Sequence, residues 1–301
     1  MTGPLPPQIR QHTVAKARTL LEALPFMREH AGRVIVVKVG GAAMASGGLA
    51  ASFAEDIALL RSVGIKPVVV HGGGPAVTTM SARLGIEATF VDGLRVTDAA
   101  TLDVATMVLA GKLNTEVVGT LVVAGVDAVG LSGVDGRLLL ARKQSADEGA
   151  PDLGFVGEVV HVRAQVLTAL IDQGFVPVVA SIAVDETGQA YNVNADVVAS
   201  ELAVALDAEK LVFQSDVPGL IGPTGELLSE VGAQQCLDLL AAGGVITGGM
   251  IPKVESAVRA LKAGIGRVHL VDGRVDHSLV LELFTPEGIG TMVTPDAGVA
   301  P

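Results

Sequence analysis

Along this chain, short runs of β-branched residues alternate with longer stretches whose apolar positions recur every three to four residues. "RVIVVKVGG" (33–41) reads as a strand running into a glycine turn, and "LAASFAEDIALLRSVG" (49–64) as an amphipathic helix closed by Gly64. "KPVVVHGGG" (66–74) repeats the strand-and-glycine pattern, and Pro75 opens a helix over 75–85. Two helices are expected within 97–125, followed by a strand over 126–132. Between about 135 and 160 the pattern shortens, and "GRLLLARK" and "GFVGEVVHV" read as hairpin strands over the main sheet. Helix-then-strand order returns at 169–181. It continues with a helix over 194–208, a strand over 210–216, a helix over 252–264 and a strand over 267–273. Repeated βα units predict an α/β fold whose mostly parallel sheet is covered on both faces. Ahead of the first strand, Ile9, Val14, Ala17, Leu20, Leu21 and Leu24 stand at helical spacing, and Pro25 is expected to kink or end that helix. Such a stripe must be covered, either by its own lobe or by another subunit.

At 301 residues the chain suits one large domain or two intimate lobes, and glycine-rich clusters on either side of residue 180 suggest a division there. No uninterrupted apolar stretch reaches the roughly 18 residues of a membrane span. The first residues lack the apolar centre of a signal peptide, so a cytoplasmic protein without membrane contact is expected. Cys236 is the only cysteine, which excludes an intramolecular disulfide and fits a reducing compartment. The formal charge is −11 with Lys and Arg scattered, which argues against nucleic acid as a ligand.

Two familiar phosphate-binding patterns fail. From Gly72 the chain reads GGGPAV, with Val77 where a dinucleotide fingerprint needs its last glycine, which also disfavours a nucleotide-dependent oxidoreductase. The single Gly-Lys step, Gly111-Lys112, is followed by Leu113 rather than Ser or Thr. A distributed site remains. "KVGG" (38–41) and "HGGG" (71–74) fall at the carboxyl ends of predicted strands, where open α/β sheets bind ligands and where bare N–H groups receive anions. The plainer reading is that these glycines only make tight turns. In "TGGMIPKVESAV" (247–258) Lys253 sits in a first helical turn, where a cation opposes the helix dipole unless an anion lies in front of it. In "YNVNADVVAS" (191–200) Asn194 suffices as a cap and Asp196 complements the helix N-terminus, whereas Asn192 serves neither purpose. Arg95 is either a surface arginine or a carboxylate clamp. His71 is expected to orient its turn, and the other histidines show no metal-ligand spacing.

Taken in order, "KVGG", "HGGG", "GLRVT", "YNVNAD", "SDVPG" and "GGMIPKV" resemble the amino-acid kinase family over roughly residues 33–295. "GLRVT" with "YNVNAD" favours its members that phosphorylate N-acetyl-L-glutamate, in arginine biosynthesis, over those acting on aspartate, carbamate, uridylate or glutamate. The resemblance implies a three-layer αβα sandwich. Its N-terminal lobe (31–180) would bind the amino acid and dimerise, and its C-terminal lobe (181–301) would bind ATP. It implies Lys38 and Lys253 as the catalytic lysines, positioned by Asp196. Gly73, Gly74, Arg95 and Asn192 would hold the acceptor. Gly40 and Gly41 would face the ATP phosphates and Asp216 the ribose, with Mg²⁺ arriving on the nucleotide. Both chain ends resemble arginine-inhibited members, in which residues 1–30 would link dimers into a hexamer. Lys210, Glu282 and Gly288 would then receive arginine. Another family member, or a catalytically silent arginine sensor on the same fold, is the alternative; intact Lys38, Lys253 and Asp196 argue against the sensor.

Overall fold

The computed structural model describes residues 7–41, 47–91, 94–145 and 151–296. Helix α1 (Pro7–His30) precedes strand β1 (Val34–Val39), α2 (Gly47–Ser62), β2 (Lys66–His71) and α3 (Gly74–Arg83). A small hairpin, β3 (Phe90–Val91) and β4 (Leu94–Arg95), leads to α4 (Ala99–Thr106). This helix runs through a π-helical segment (Met107–Leu113) into α5 (Asn114–Val123). Next come β5 (Ala128–Ser132), β6 (Leu139–Lys143), β7 (Gly157–Val162), α6 (Gln165–Asp172), β8 (Val176–Ala180), β9 (Ile182–Val184), β10 (Ala190–Asn192) and α7 (Ala195–Ala205). The chain ends with β11 (Lys210–Ser215), β12 (Glu230–Gly232), α8 (Ala233–Ala242), α9 (Met250–Lys262), β13 (Arg267–Asp272), α10 (Ser278–Phe284) and β14 (Thr291–Thr294).

Eight strands form the central sheet in the order β12-β14-β13-β11-β1-β2-β8-β5, parallel except where β13 meets β14. Alternate residues of each strand face opposite layers. Val36, Val68, Val70, Leu211 and Phe213 pack with Leu167, Val198, Leu202 and Val254 of α6, α7 and α9. Ile35, Val37, Val39, Val69 and Val212 pack with Phe53, Ile57, Leu121 and Leu279 of α2, α5 and α10. Helix, sheet and helix therefore form a three-layer α/β sandwich. A second sheet, β10-β9-β6-β7, adds Leu139, Ala141 and Ala183 to the first of these layers. The sheet is continuous across residue 180, since β1 pairs with β2 on one side and β11 on the other.

Two local expectations are corrected. Pro25 neither ends nor breaks α1, which continues to His30 because Ala23, Phe26 and Met27 clamp the turn around the proline onto the core. The two helices expected within 97–125 are one continuous run, joined by the π-helical segment. That run, Ala99–Val123, is long and apolar enough to cross a membrane by composition alone. In the fold Leu102, Val104, Val108, Leu109, Val117 and Leu121 bury one side of it in the protein, while Met107, Val122 and Val123 are exposed. Val14, Leu20 and Leu21 of α1 are exposed as well, and the Ile9 side chain lies outside the described residues.

Helix α10 is tied to α2 through one buried carboxylate. Asp56 accepts from His277 Nδ1 at 2.8 Å and from the Leu279 N–H at 3.1 Å, while the His277 N–H donates to Ser52 Oγ at 2.6 Å. His277 adopts a left-handed backbone (φ 56°), which asparagine tolerates better than most residues. The bond to Asp56 raises the His277 pKa above its usual value, and burial raises that of Asp56, with His277 opposing. A histidine with a raised folded pKa adds stability that is complete below its unfolded value of about 6.5 and fades as pH rises through the folded value. The thermal-stability advantage of wild type over His277→Asn should therefore be larger at about pH 6 than at about pH 9. An advantage that grew with pH would show that the imidazolium takes no part in this junction.

Candidate active site

The parallel strands bring their carboxyl ends to one edge. Val39 lies beside His71 and His71 beside Ala180, so Gly40–Gly41, the glycines after His71 and Ser181 share that edge. Lys38, Gly41, Gly73, Gly74, Arg95 and Asn192 line one cleft there, of about 300 Å³. Lys38 is the penultimate residue of β1. Gly73 and Gly74 begin α3, with Pro75 in its first turn, where the proline's missing N–H costs nothing. Asn192 ends β10 and Arg95 ends β4.

At the cleft's edge two ammonium groups converge on one carboxylate. Lys38 Nζ stands 2.8 Å from Asp196 Oδ1, and Lys253 Nζ stands 3.4 Å from Asp196 Oδ2. All three side chains are at most 14% exposed. The Lys38 contact is an ion pair by proximity rather than an aligned hydrogen bond. Lys253 also donates to the Gly249 carbonyl at 3.0 Å. Asp196 is placed by local folding, since Asn194 caps α7 by accepting from the Asp196 N–H at 2.7 Å. Lys253 is not; it occupies the first turn of α9, where only a nearby anion makes a cation favourable.

Arg95 is braced by its neighbours. Its Nη2 donates to the Gly74 carbonyl at 2.9 Å and to Thr78 Oγ1 at 2.7 Å, and its guanidinium lies 4.7 Å from the centre of the Phe90 ring. Burial lowers its pKa, yet a guanidinium stays charged. Its Nη1 is buried with no partner among the described residues. Asn192 Nδ2 donates to Thr97 Oγ1 at 3.3 Å, and Asp98 caps α4.

The remaining candidates fall elsewhere. Gly40 packs against the Gln214 carbonyl and does not line the cleft. Asp216 is exposed just beyond β11 and attracts Arg274. Lys210, Glu282 and Gly288 gather toward the opposite edge of the sheet, where β11 and β13 begin. Glu282 accepts from His269 Nδ1 at 2.6 Å and from the N–H groups of Ile289 and Gly290 at 2.8 and 3.0 Å. Burial alone would raise the Glu282 pKa, but these donors hold it below its usual value. Burial lowers the pKa values of Lys210 and His269. Nearby, His30 Nδ1 donates to Glu209 at 2.9 Å, fastening the end of α1 beside Lys210. Thr78, Phe90 and His269 had no signal in the sequence, because each is recruited by a partner on another element, at no spacing that a helical or strand period would pair.

The amino acid kinase family profile matches residues 33–272. The chain belongs to the amino acid kinase family. It is 52% identical to the acetylglutamate kinase of Symbiobacterium thermophilum, over 94% of this chain and 99% of that protein. It is 48% identical to the acetylglutamate kinase of Carboxydothermus hydrogenoformans, over 93% and 98% of the two chains. Among solved structures, N-acetylglutamate synthase from Neisseria gonorrhoeae, complexed with coenzyme A and N-acetyl-glutamate, matches with a TM-score of 0.84 and 30% identity. That match covers 93% of this chain and 64% of the synthase. Carbamate kinase from Giardia lamblia bound to AMP-PNP shares the fold, with a TM-score of 0.63 and 17% identity over 89% of this chain and all of that one.

Proposed function

We propose that this chain transfers the γ-phosphoryl group of ATP to the side-chain carboxylate of N-acetyl-L-glutamate, giving N-acetylglutamyl 5-phosphate and ADP in arginine biosynthesis, under inhibition by arginine. The observation that carries this reading is the pair of ammonium groups held on the buried Asp196 carboxylate beside the Arg95 cleft. The names of the similar acetylglutamate kinases support the choice of acceptor.

The chemistry asks little more of the protein. A carboxylate with a pKa of about 4.3 is already an ionised nucleophile at neutral pH, so no general base is needed. One of its oxygens bonds to the γ-phosphorus as the bond to the bridging β,γ-oxygen breaks and ADP leaves with that electron pair. The obstacle is the approach of two anions, and cations with oriented N–H groups lower it. Lys38 and Lys253 would neutralise the transferring group, with Asp196 keeping both ammoniums in place. Arg95 and Asn192 would hold the acceptor's α-carboxylate, and the buried free Nη1 of Arg95 suits that task. Gly73 and Gly74 would line the acceptor, Gly40 and Gly41 would approach the phosphates, and Asp216 the ribose. Mg²⁺ would enter with ATP as part of that substrate. Both oxygens of Asp196 are already engaged by lysines, so the nucleotide's phosphates and waters would carry the ion.

In this reading residues 31–180 form the acceptor lobe and 181–301 the ATP lobe, sharing one sheet, in a cytoplasmic enzyme. Helix α1 would join dimers into a hexamer, which would cover Val14, Leu20 and Leu21. Arginine would sit beside it, its guanidinium on Glu282, its carboxylate toward Lys210, and Gly288 alongside. Glu282 accepts three donors and has capacity for a fourth, while the buried His269 Nε2 has no partner among the described residues. Arginine inhibits only by binding better to an arrangement that holds substrate less well.

The deciding experiment measures ADP release with acetylglutamate, glutamate, aspartate, carbamate and UMP as acceptors. Release with acetylglutamate alone is expected; release with none of them would favour the silent sensor. Lys253→Ala should lower turnover by about 10²–10³, the scale for losing one transition-state donor, with a much smaller change in the acetylglutamate KM. Turnover within threefold of wild type would remove Lys253 from the reaction. Arg95→Lys keeps a charge but loses the fork, so the acetylglutamate KM should rise strongly while that of ATP stays near normal. A rise in the ATP KM instead would place Arg95 with the nucleotide. Deleting residues 1–30 should convert hexamers to dimers, retain much of the activity and weaken arginine inhibition at least about tenfold. Glu282→Gln, which keeps an acceptor for its buried donors, should weaken inhibition with the hexamer intact. Sedimentation of the full chain as a dimer would defeat the assembly.

A further inference from the structure

A buried polar chain lies behind the glycine turn, outside the groups the reaction engages. Asn114 opens α5 directly after the π-helical segment, and its Nδ2 donates to the Val178 carbonyl at 2.9 Å and reaches the Leu131 carbonyl at 3.4 Å. The Val178 carbonyl at 2.9 Å decides the amide's orientation, because only the nitrogen end has a hydrogen for it; the second hydrogen is left for His71, with the Leu131 carbonyl a longer, secondary contact. The same Nδ2 stands 3.0 Å from His71 Nε2. A side-chain amide nitrogen is a donor only, so His71 Nε2 must be the bare, accepting nitrogen. The imidazole proton then resides on Nδ1, which donates to the Gly72 carbonyl at 3.1 Å. The second nitrogen of a histidine is set by the hydrogen bond its first one makes.

The packing around this chain is shaped to admit it. A Cβ on Gly130 would lie 1.9 Å from Asn114 Oδ1, so the amide can rest against β5 only where that strand has no side chain. A Cβ on Gly73 would lie 2.2 Å from Leu113 Cδ1 and 2.8 Å from Leu109 Cδ2. The wide π turn thus presses two leucines onto Gly73 and delivers the very next residue, Asn114, to His71. Interruptions of this kind are frequent at functional sites.

We propose that Asn114 is a positioning residue for the glycine turn: by fixing the His71 tautomer it fixes the orientation of the Gly72–Gly73 peptide. In a trans peptide the carbonyl and the N–H point in opposite directions. His71 faces the side of the turn lined by Leu113, Glu116 and Val117, away from the Lys38 cleft. With the Gly72 carbonyl held toward His71, the Gly73 N–H is directed to the cleft side, where an anionic oxygen of the acceptor would receive it. The catalytic consequence rests on the phosphoryl-transfer reading, whereas the tautomer does not.

The test uses the full-length protein labelled with ¹⁵N-histidine, the His71 signals being assigned by their loss in His71→Gln. A neutral imidazole protonated at Nδ1 from about pH 6 to about pH 9 is expected, in keeping with a pKa that burial, and secondarily Lys38, push down. An Nε2-protonated ring, or an imidazolium at neutral pH, overturns the proposal. Asn114→Asp keeps the shape but puts an acceptor opposite Nε2, so the proton should move to Nε2 and release the Gly72 carbonyl. The acetylglutamate KM should then rise about tenfold, the scale of one lost hydrogen bond, with the ATP KM within twofold. A variant that only melts earlier, with tautomer and KM unchanged, also overturns it. If Asn114→Asp does not fold, the wild-type tautomer decides. If wild type uses a different acceptor, the proposed function falls, and the KM split is read with that acceptor instead.

Discussion

The site depends on one carboxylate shared by two ammonium groups. Lys38 and Lys253 are separated by most of the chain, and their like charges would repel at the separations seen here without Asp196 between them. Taking three charges out of water is costly, and it is tolerable only when each charge faces its opposite. That requirement reaches back into the fold. Lys38 must leave the carboxyl end of β1, and the N-termini of α7 and α9 must arrive at the same point. The pairing of β11 with β1 and of β13 with β11, all parallel, meets this requirement. The two N-termini add their own positive ends, which favour Asp196 and disfavour Lys253. The cluster is therefore left with an excess of positive potential on the cleft side, which suits an anionic ligand.

The same edge of the sheet supplies neutral donors. Glycine turns after β1 and β2 bring bare backbone to the cleft, and Arg95 is braced against one of them through the Gly74 carbonyl. The guanidinium, the glycine backbone and the two lysines are thus mechanically continuous. Thr78 and Gly74 take Nη2 of Arg95 and Phe90 stacks on its guanidinium, which leaves Nη1 without a partner among the described residues. Leaving a buried donor unpaired costs free energy, and a bound carboxylate would recover it.

How far this was legible in the sequence follows from where each residue's partner lies. The strands were readable because β1, β2, β8 and β11 are buried on both faces, so their runs are apolar without interruption. Lys253 stood out because local folding gave it no purpose, and the glycine clusters because they fall at the carboxyl ends of successive strands. The joint between α4 and α5 was hidden, since a π turn has no composition of its own and Gly111 within it reads as readily as a break between two helices. Pro25 misled for the opposite reason: a genuine breaker was overridden by the packing of Phe26 and Met27. Asn114 looked like any polar helix residue, because its partners His71 and Val178 lie 43 and 64 residues away.

Helix α10 shows how a signal at the far edge of the sheet would have to travel. It is only seven residues long and is held at both ends. At its start, Asp56 and Ser52 of α2 grip His277 and Leu279; near its end, Glu282 binds the backbone of Ile289 and Gly290. A helix so short, anchored at two points, shifts as a unit or stays put, because bending it would break the few hydrogen bonds it has. A ligand that takes the remaining acceptor position of Glu282 and pulls on it would draw the whole helix with it. That pull would arrive at Asp56, on α2, the helix that follows the Lys38 strand. The price of a tight grip on Glu282 is that its anchor cannot yield without moving α2. Linkage between distant sites would require such an element to have a second position.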